Sequence, residues 1–174
     1  MAGGAVAEHN IVLTGFMGSG KSSVGAALAA VLGRRFVDTD AVIAERYGPI
    51  PAIFAEHGEA AFRTREQELA DELAGETALV VSTGGGMLID PAIAERFESS
   101  GQVFCLTASP ATTIARVRAD GIVDRPLLDT ADPEARVAEL LAERSEAYAR
   151  FEAVPTDGRT VAEIVDDILI RIRG

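Results

Sequence analysis

The sequence predicts an α/β protein, a parallel sheet wrapped by helices. Three observations carry that prediction. Short apolar runs alternate along the chain with longer segments of helical periodicity. Parallel strands need crossovers long enough to hold a helix, and these segments supply them. The first apolar run opens into a glycine-rich loop that leads directly into a helix, which places a ligand at the carboxyl ends of the strands.

The elements follow in order. Residues 1–9 are small and polar and are expected to be a flexible tail. A strand is predicted at 11–14, then a helix at 21–32, rich in alanine, leucine and valine. Arg35-Phe36-Val37 is a weaker strand candidate, followed by a helix over roughly 40–47 and another at 59–74. Ala78-Leu79-Val80-Val81-Ser82 reads as a buried strand, 91–98 as a helix, and 102–106 as the next strand. Helices are predicted at 109–118, 132–149 and 160–172, with a weaker strand at 151–154. The stretch 119–130 lacks a clean period and has turn residues at both ends, which predicts a mobile loop. Repeats, low-complexity linkers and composition shifts are absent, so all 174 residues are read as one domain.

Composition narrows the function classes. Hydrophobic residues make up 48% and charged residues 25%, the balance of a soluble globular protein. No apolar run approaches the roughly 20 residues that span a bilayer, so no membrane association is expected. No basic end precedes a long apolar core at the start, so no secretory leader is expected. The lone Cys105 sits in Val103-Phe104-Cys105-Leu106 and reads as a core residue. The expected compartment is the cytoplasm. The net charge of −11 repels nucleic acid, and no basic stripe opposes it. An anionic ligand must therefore meet local positive charge.

The glycine-rich loop is Gly15-Phe16-Met17-Gly18-Ser19-Gly20-Lys21-Ser22, the pattern G-x-x-x-x-G-K-S. Phosphates need many donors close by and no side chains in the way; the glycines expose successive backbone N–H groups. The following helix adds the positive end of its dipole. Gly18, Ser19, Gly20, Lys21, Ser22 and Ser23 are the expected nucleotide-binding residues, with Lys21 reaching the β- and γ-phosphates and Ser22 ligating Mg²⁺. The motif points to triphosphate binding and leaves the reaction open, since switches, motors and kinases share it.

Asp38-Thr39-Asp40 ends the second strand candidate. If strand geometry persists, the two carboxylates share a side. One can then serve the metal's water shell while the other takes a proton from a hydroxyl. The competing reading makes Asp40 the cap of a helix beginning at Ala41. Gly84-Gly85-Gly86 follows Ser82-Thr83, and three glycines there predict close backbone approach to a ligand. Arg63, Arg125 and Arg144 each read singly as surface arginines, although their forked guanidinium groups match carboxylate and phosphate oxygens. His9 and His57 stand apart, and no Cys/His cluster suggests a metal other than Mg²⁺.

Taken in order, GFMGSGKS, DTD, GEAAFRTRE, TGGG, RPLL and ERSEAY resemble the shikimate kinase family over about residues 11–168. The resemblance implies a three-layer P-loop fold of the nucleoside-monophosphate-kinase type. Its five-stranded parallel sheet is flanked by helices, with an acceptor-binding subdomain near 41–75 and a lid near 119–130. It implies Mg²⁺-dependent transfer of the ATP γ-phosphate to the 3-hydroxyl of shikimate. It implies that Asp38 holds the metal through water, and that Asp40 bonds the acceptor and takes its proton. Arg63 and Arg144 are matched to the grip on the acceptor carboxylate, and Gly84, Gly85 and Gly86 to the wall beside its ring. Arg125 is matched to the lid arginine, Arg118 to an adenine-stacking arginine, and Phe54, Phe62 and Pro126 to apolar walls of the acceptor pocket. The chain departs from the family at Gly48–Phe54, one residue shorter than the usual G-x-x-I-x-x-I/L-F. Two other readings remain open: a P-loop kinase for another hydroxy acid, of the gluconate or aminoshikimate type, and a non-catalytic nucleotide-binding regulator. A monomer acting on small molecules is expected.

Overall fold

A computed structural model describes residues 9–120 and 131–172. Five strands form one sheet: β1 (Asn10–Thr14), β2 (Arg35–Asp38), β3 (Leu79–Ser82), β4 (Gly101–Thr107) and β5 (Glu152–Pro155). Their order is β2-β3-β1-β4-β5, and every pairing is parallel. The helices are α1 (Lys21–Leu32), α2 (Thr39–Tyr47), α3 (Ile50–Ala74), α4 (Pro91–Ser100), α5 (Pro110–Ala119), α6 (Pro133–Ala149) and α7 (Val161–Arg171). β1 is central, with Leu13 opposite Ser82 of β3 on one side and Phe104 of β4 on the other. From β1 the chain crosses to β2 and returns through β3, then leaves on the opposite side through β4. The carboxyl end of β1 is therefore the switch point where this class of sheet opens a crevice.

The sheet is buried on both faces, which explains why its strands read as unbroken apolar runs. Val12 and Val81 pack with Ile43, Ile53, Leu69 and Phe97 from α2, α3 and α4. Ile11, Leu13, Val80 and Phe104 pack on the other face with Leu28 of α1 and Ile164 and Ile168 of α7. A third cluster joins Phe16 of the glycine loop to Ile114 of α5 and Val137 of α6. Cys105 is in the core, as its run predicts, and burial pushes its thiol up to about 11.

Three local expectations are corrected. Strand geometry does not persist to Asp40, because α2 begins at Thr39. The helix cap is Asp38, not Asp40: its Oδ1 accepts from the backbone N–H of Asp40 at 3.1 Å and of Ala41 at 3.2 Å. α3 starts at Ile50 rather than 59, kinked at Gly58 (φ 79°). Pro49 precedes this helix and Pro51 lies in its first turn, where the missing N–H costs nothing. Finally, β3 starts at Leu79, because Ala78 adopts a left-handed conformation (φ 59°). Buried Asn10 sets that boundary: its Oδ1 accepts from Leu79 N at 2.9 Å while its Nδ2 donates to Glu76 O at 2.9 Å.

Candidate active site

The loop after β1 wraps a cavity of about 810 Å³. Gly15 holds its close contact with β4 only as glycine; a Cβ there would lie 2.3 Å from Leu106 O. Gly20 caps α1 without any side-chain hydrogen bond, so the first N–H groups of the helix face the cavity unpaired by a cap. Such a helix end binds anions through donors and dipole together. Lys21 Nζ curls back over the loop and donates to Gly15 O at 2.7 Å and Phe16 O at 2.9 Å. Burial lowers its pKa to about 8, partly offset by Asp40 and Asp38.

Ser22 Oγ donates to Asp38 Oδ2 at 2.6 Å. Asp38 thus uses one oxygen as the α2 cap and offers the other beside the Ser22 hydroxyl. Mg²⁺ takes hard oxygen ligands, one or two from protein and the rest from phosphate and water. The Ser22–Asp38 pair fits the protein's share of that set.

The residues expected around an acceptor meet at the turn after β3. A Cβ on Gly84 would sit 2.6 Å from Asp40 Oδ1; on Gly85, 3.6 Å from Arg144 Nη1; on Gly86, 3.2 Å from Arg63 Nη1. Gly84 and Gly86 therefore make room for the charged side chains of α2 and α3, while Gly85 lies in ordinary contact distance of Arg144 from α6. The turn also abuts the phosphate loop, since a Cβ on Gly85 would be 3.4 Å from Gly15 O. Burial, with Asp38 adding to it, raises the Asp40 pKa, and Lys21 and Arg63 pull against that shift. Arg63 is anchored on its own helix, donating from Nη1 to Glu66 Oε2 at 2.7 Å and from Nη2 to Glu59 Oε1 at 3.2 Å. Glu66 is 2% exposed, and burial raises its pKa against the pull of Arg63.

The remaining expected residues fall in different places. Asp40 and Arg144 line the main cavity, whereas Arg63 lines an adjoining one of about 310 Å³ with Glu59, Glu66 and Gly86. Phe62 is buried and Phe54 exposed, their ring centroids 4.9 Å apart. Arg118 is exposed at the end of α5 and does not line the main cavity. Arg125, Pro126 and the lid expected near 119–130 lie outside the described residues from 121 onward.

Several site residues escape the sequence reading. Arg116, two positions before Arg118, reaches the phosphate loop: its Nη1 donates to Gly18 O at 3.1 Å and its Nη2 to Thr156 O at 2.9 Å. A helical wheel carries the signal, for Arg116 lies one turn beyond buried Thr113 and beside buried Val117. Thr160 and Val161 close the far wall of the cavity. Thr160 and Glu163 form a capping box there, a pattern visible in the sequence as T-x-x-E after the last strand. Tyr148, the last residue of the ERSEAY segment, donates its hydroxyl to Gly85 O at 2.7 Å.

A phosphate cradle at a sheet switch point, beside a carboxylate and two arginines, defines a P-loop small-molecule phosphotransferase. The model of the shikimate kinase family matches residues 17–173. A shikimate kinase of Geobacter metallireducens is 42% identical over 168 residues, covering 95% of this chain and 93% of the relative. One from Thermus thermophilus is 42% identical over 165 residues, covering 93% and 89%. The solved structure of an Acinetobacter baumannii shikimate kinase in complex with shikimate superposes with a TM-score of 0.86 at 36% identity, covering 95% and 93%. The chain belongs to the shikimate kinase family, and its five-stranded sheet is that of the family. A gluconokinase from Sinorhizobium meliloti, at TM-score 0.64 and 22% identity, shares the fold alone.

Proposed function

We propose that this chain transfers the γ-phosphate of ATP to the 3-hydroxyl of shikimate with the residues gathered at the Gly84–Gly86 turn. The observation that supports the reading most is the convergence there of Asp40, Arg63 and Arg144 from three helices, against the loop that cradles phosphate. Two arginines suit a carboxylate, and an acceptor held by them would present its hydroxyl toward Asp40. The raised pKa of Asp40 suits a group that must take a proton and later release it. Lys21 and the loop N–H groups stabilise charge on the transferring phosphoryl group. Ser22 and Asp38 would hold Mg²⁺, which supplies neutralisation of the phosphate oxygens. Among the described residues no helix is long and apolar enough to cross a membrane. We place the protein in the cytoplasm as a monomer on small-molecule substrates.

The test is ADP release from Mg²⁺ and ATP with shikimate, aminoshikimate and gluconate as acceptors. The expected outcome is a strong preference for shikimate. Preference for another hydroxy acid would replace the acceptor, and acceptor-independent turnover would replace the reaction.

A further inference from the structure

The phosphate loop contributes more than its backbone. Phe16, its second residue, is 3% exposed and sits in the cluster formed with α5 and α6. Its carbonyl accepts from Lys21 Nζ, and its ring lies under Arg144, whose guanidinium carbon is 5.2 Å from the ring centroid. Arg144 is half-buried, and its charge acts on nearby Tyr148, whose hydroxyl is fixed on Gly85 O. An unpaired arginine side chain carries many rotamers, and ordering it costs conformational entropy. Here the ring below favours one of them before any ligand arrives. Unlike Arg63, which is held by Glu59 and Glu66, Arg144 has no carboxylate partner within 4 Å among the described residues. A carboxylate would compete with an incoming anion for the guanidinium donors, whereas an aromatic face does not.

We propose that Phe16 is a specificity-determining positioning residue: its ring holds the Arg144 guanidinium so that its donor edge stays open for the acceptor's carboxylate. The donor loop thereby sets acceptor selectivity. The inference rests on the reading that Arg144 receives that carboxylate.

The experiment compares shikimate with its neutral carboxamide in steady-state kinetics. Phe16→Leu keeps an apolar side chain and removes the aromatic face. Incorporation of pentafluorophenylalanine at position 16 keeps the ring and its packing but inverts the charge distribution that attracts a cation, so it carries the test if the leucine variant does not fold. The expected result in either is a rise of roughly three- to thirtyfold in KM for shikimate, the range of a partly desolvated cation–π contact. The KM for the carboxamide should hold. Equal losses for acid and amide, or no loss, would overturn the proposal. Arg144→Ala separates the two levels. If it abolishes the acid preference while the position-16 variants keep it, Phe16 has no such role and the carboxylate reading stands. If Arg144→Ala itself keeps the preference, the carboxylate reading fails.

Discussion

The Gly15–Ser22 loop and the Gly84–Gly86 turn lie against each other, yet they are built in opposite ways. The loop is local: eight consecutive residues supply its backbone donors, its lysine and its hydroxyl. The turn is a meeting place, empty in itself, where Asp40, Arg144 and Arg63 arrive from three helices. Backbone donors are fixed by the path of the chain, whereas each arriving side chain must be held by something else. Asp40 is held by the α2 helix that Asp38 caps, Arg63 by two glutamates, and Arg144 by an aromatic ring. The comparison teaches that the donor side tolerates changes in the surrounding fold better than the acceptor side, whose geometry depends on three separate supports.

The largest expected effect probes the group on which the two regions converge. Asp40→Asn keeps the shape beside Gly84 but cannot accept a proton, and a positioned base contributes roughly 10²–10⁴-fold. Turnover should fall by that factor while ATP binding, measured by calorimetry, is retained. A loss below about tenfold would reduce Asp40 to a positioning group and move the chemistry to the donor side.

This division also explains what was legible in the sequence. The phosphate loop could be read from eight letters because its function needs only glycines, a lysine and a serine in register. The sheet could be read because both of its faces are buried and its strands are unbroken apolar runs. Asp38 and Asp40 were visible as a pair, but which one capped the helix depended on where β2 stopped, which no local pattern states. The first turns of α3 were hidden by Pro49 and Pro51, which look like breakers until the helix start is known. Arg63 and Arg144 could be brought together only through family resemblance, since nothing in either segment names the other. Arg116 is legible only once the phase of α5 is known, because its place one turn beyond buried Thr113 and beside buried Val117 turns it toward the loop.

The next effect sharpens the contrast within the acceptor side. Hydrogen bonds to charged groups contribute about 1.5–3 kcal/mol each, so Arg63→Ala and Arg144→Ala should each lower kcat/KM for shikimate roughly ten- to a hundredfold or more. If both serve one carboxylate, as proposed, their losses should not add in the double variant. Thermal unfolding should distinguish them. Arg63→Ala leaves Glu66 buried without its cation, so it should melt below Arg144→Ala, which strands no carboxylate. Equal melting temperatures would mean that Glu66 simply takes up a proton, as its raised pKa permits.

The smallest effect belongs to the donor side and amounts to one proton. Burial lowers the Lys21 pKa from 10.5 to about 8. In the unfolded chain the amine holds its proton up to the higher value, so between these limits the unfolded state binds more protons. The burial penalty is therefore complete below pH 8 and is relieved as pH rises from there toward 10.5. A triphosphate beside Nζ favours the charged form and pushes the pKa back up. Nucleotide binding above pH 8 should then draw a proton from solvent, approaching one per site near about pH 9. Phosphate groups are already fully ionised there and do not contribute. Calorimetric titration with ADP in two buffers of different ionisation enthalpy measures the uptake directly, and Lys21→Met should remove it. Affinity should weaken with pH over the same window, by at most about tenfold per unit. No uptake in the unmodified protein would mean that Lys21 is already charged against the carbonyls of Gly15 and Phe16. The loop would then be electrostatically complete before its ligand arrives.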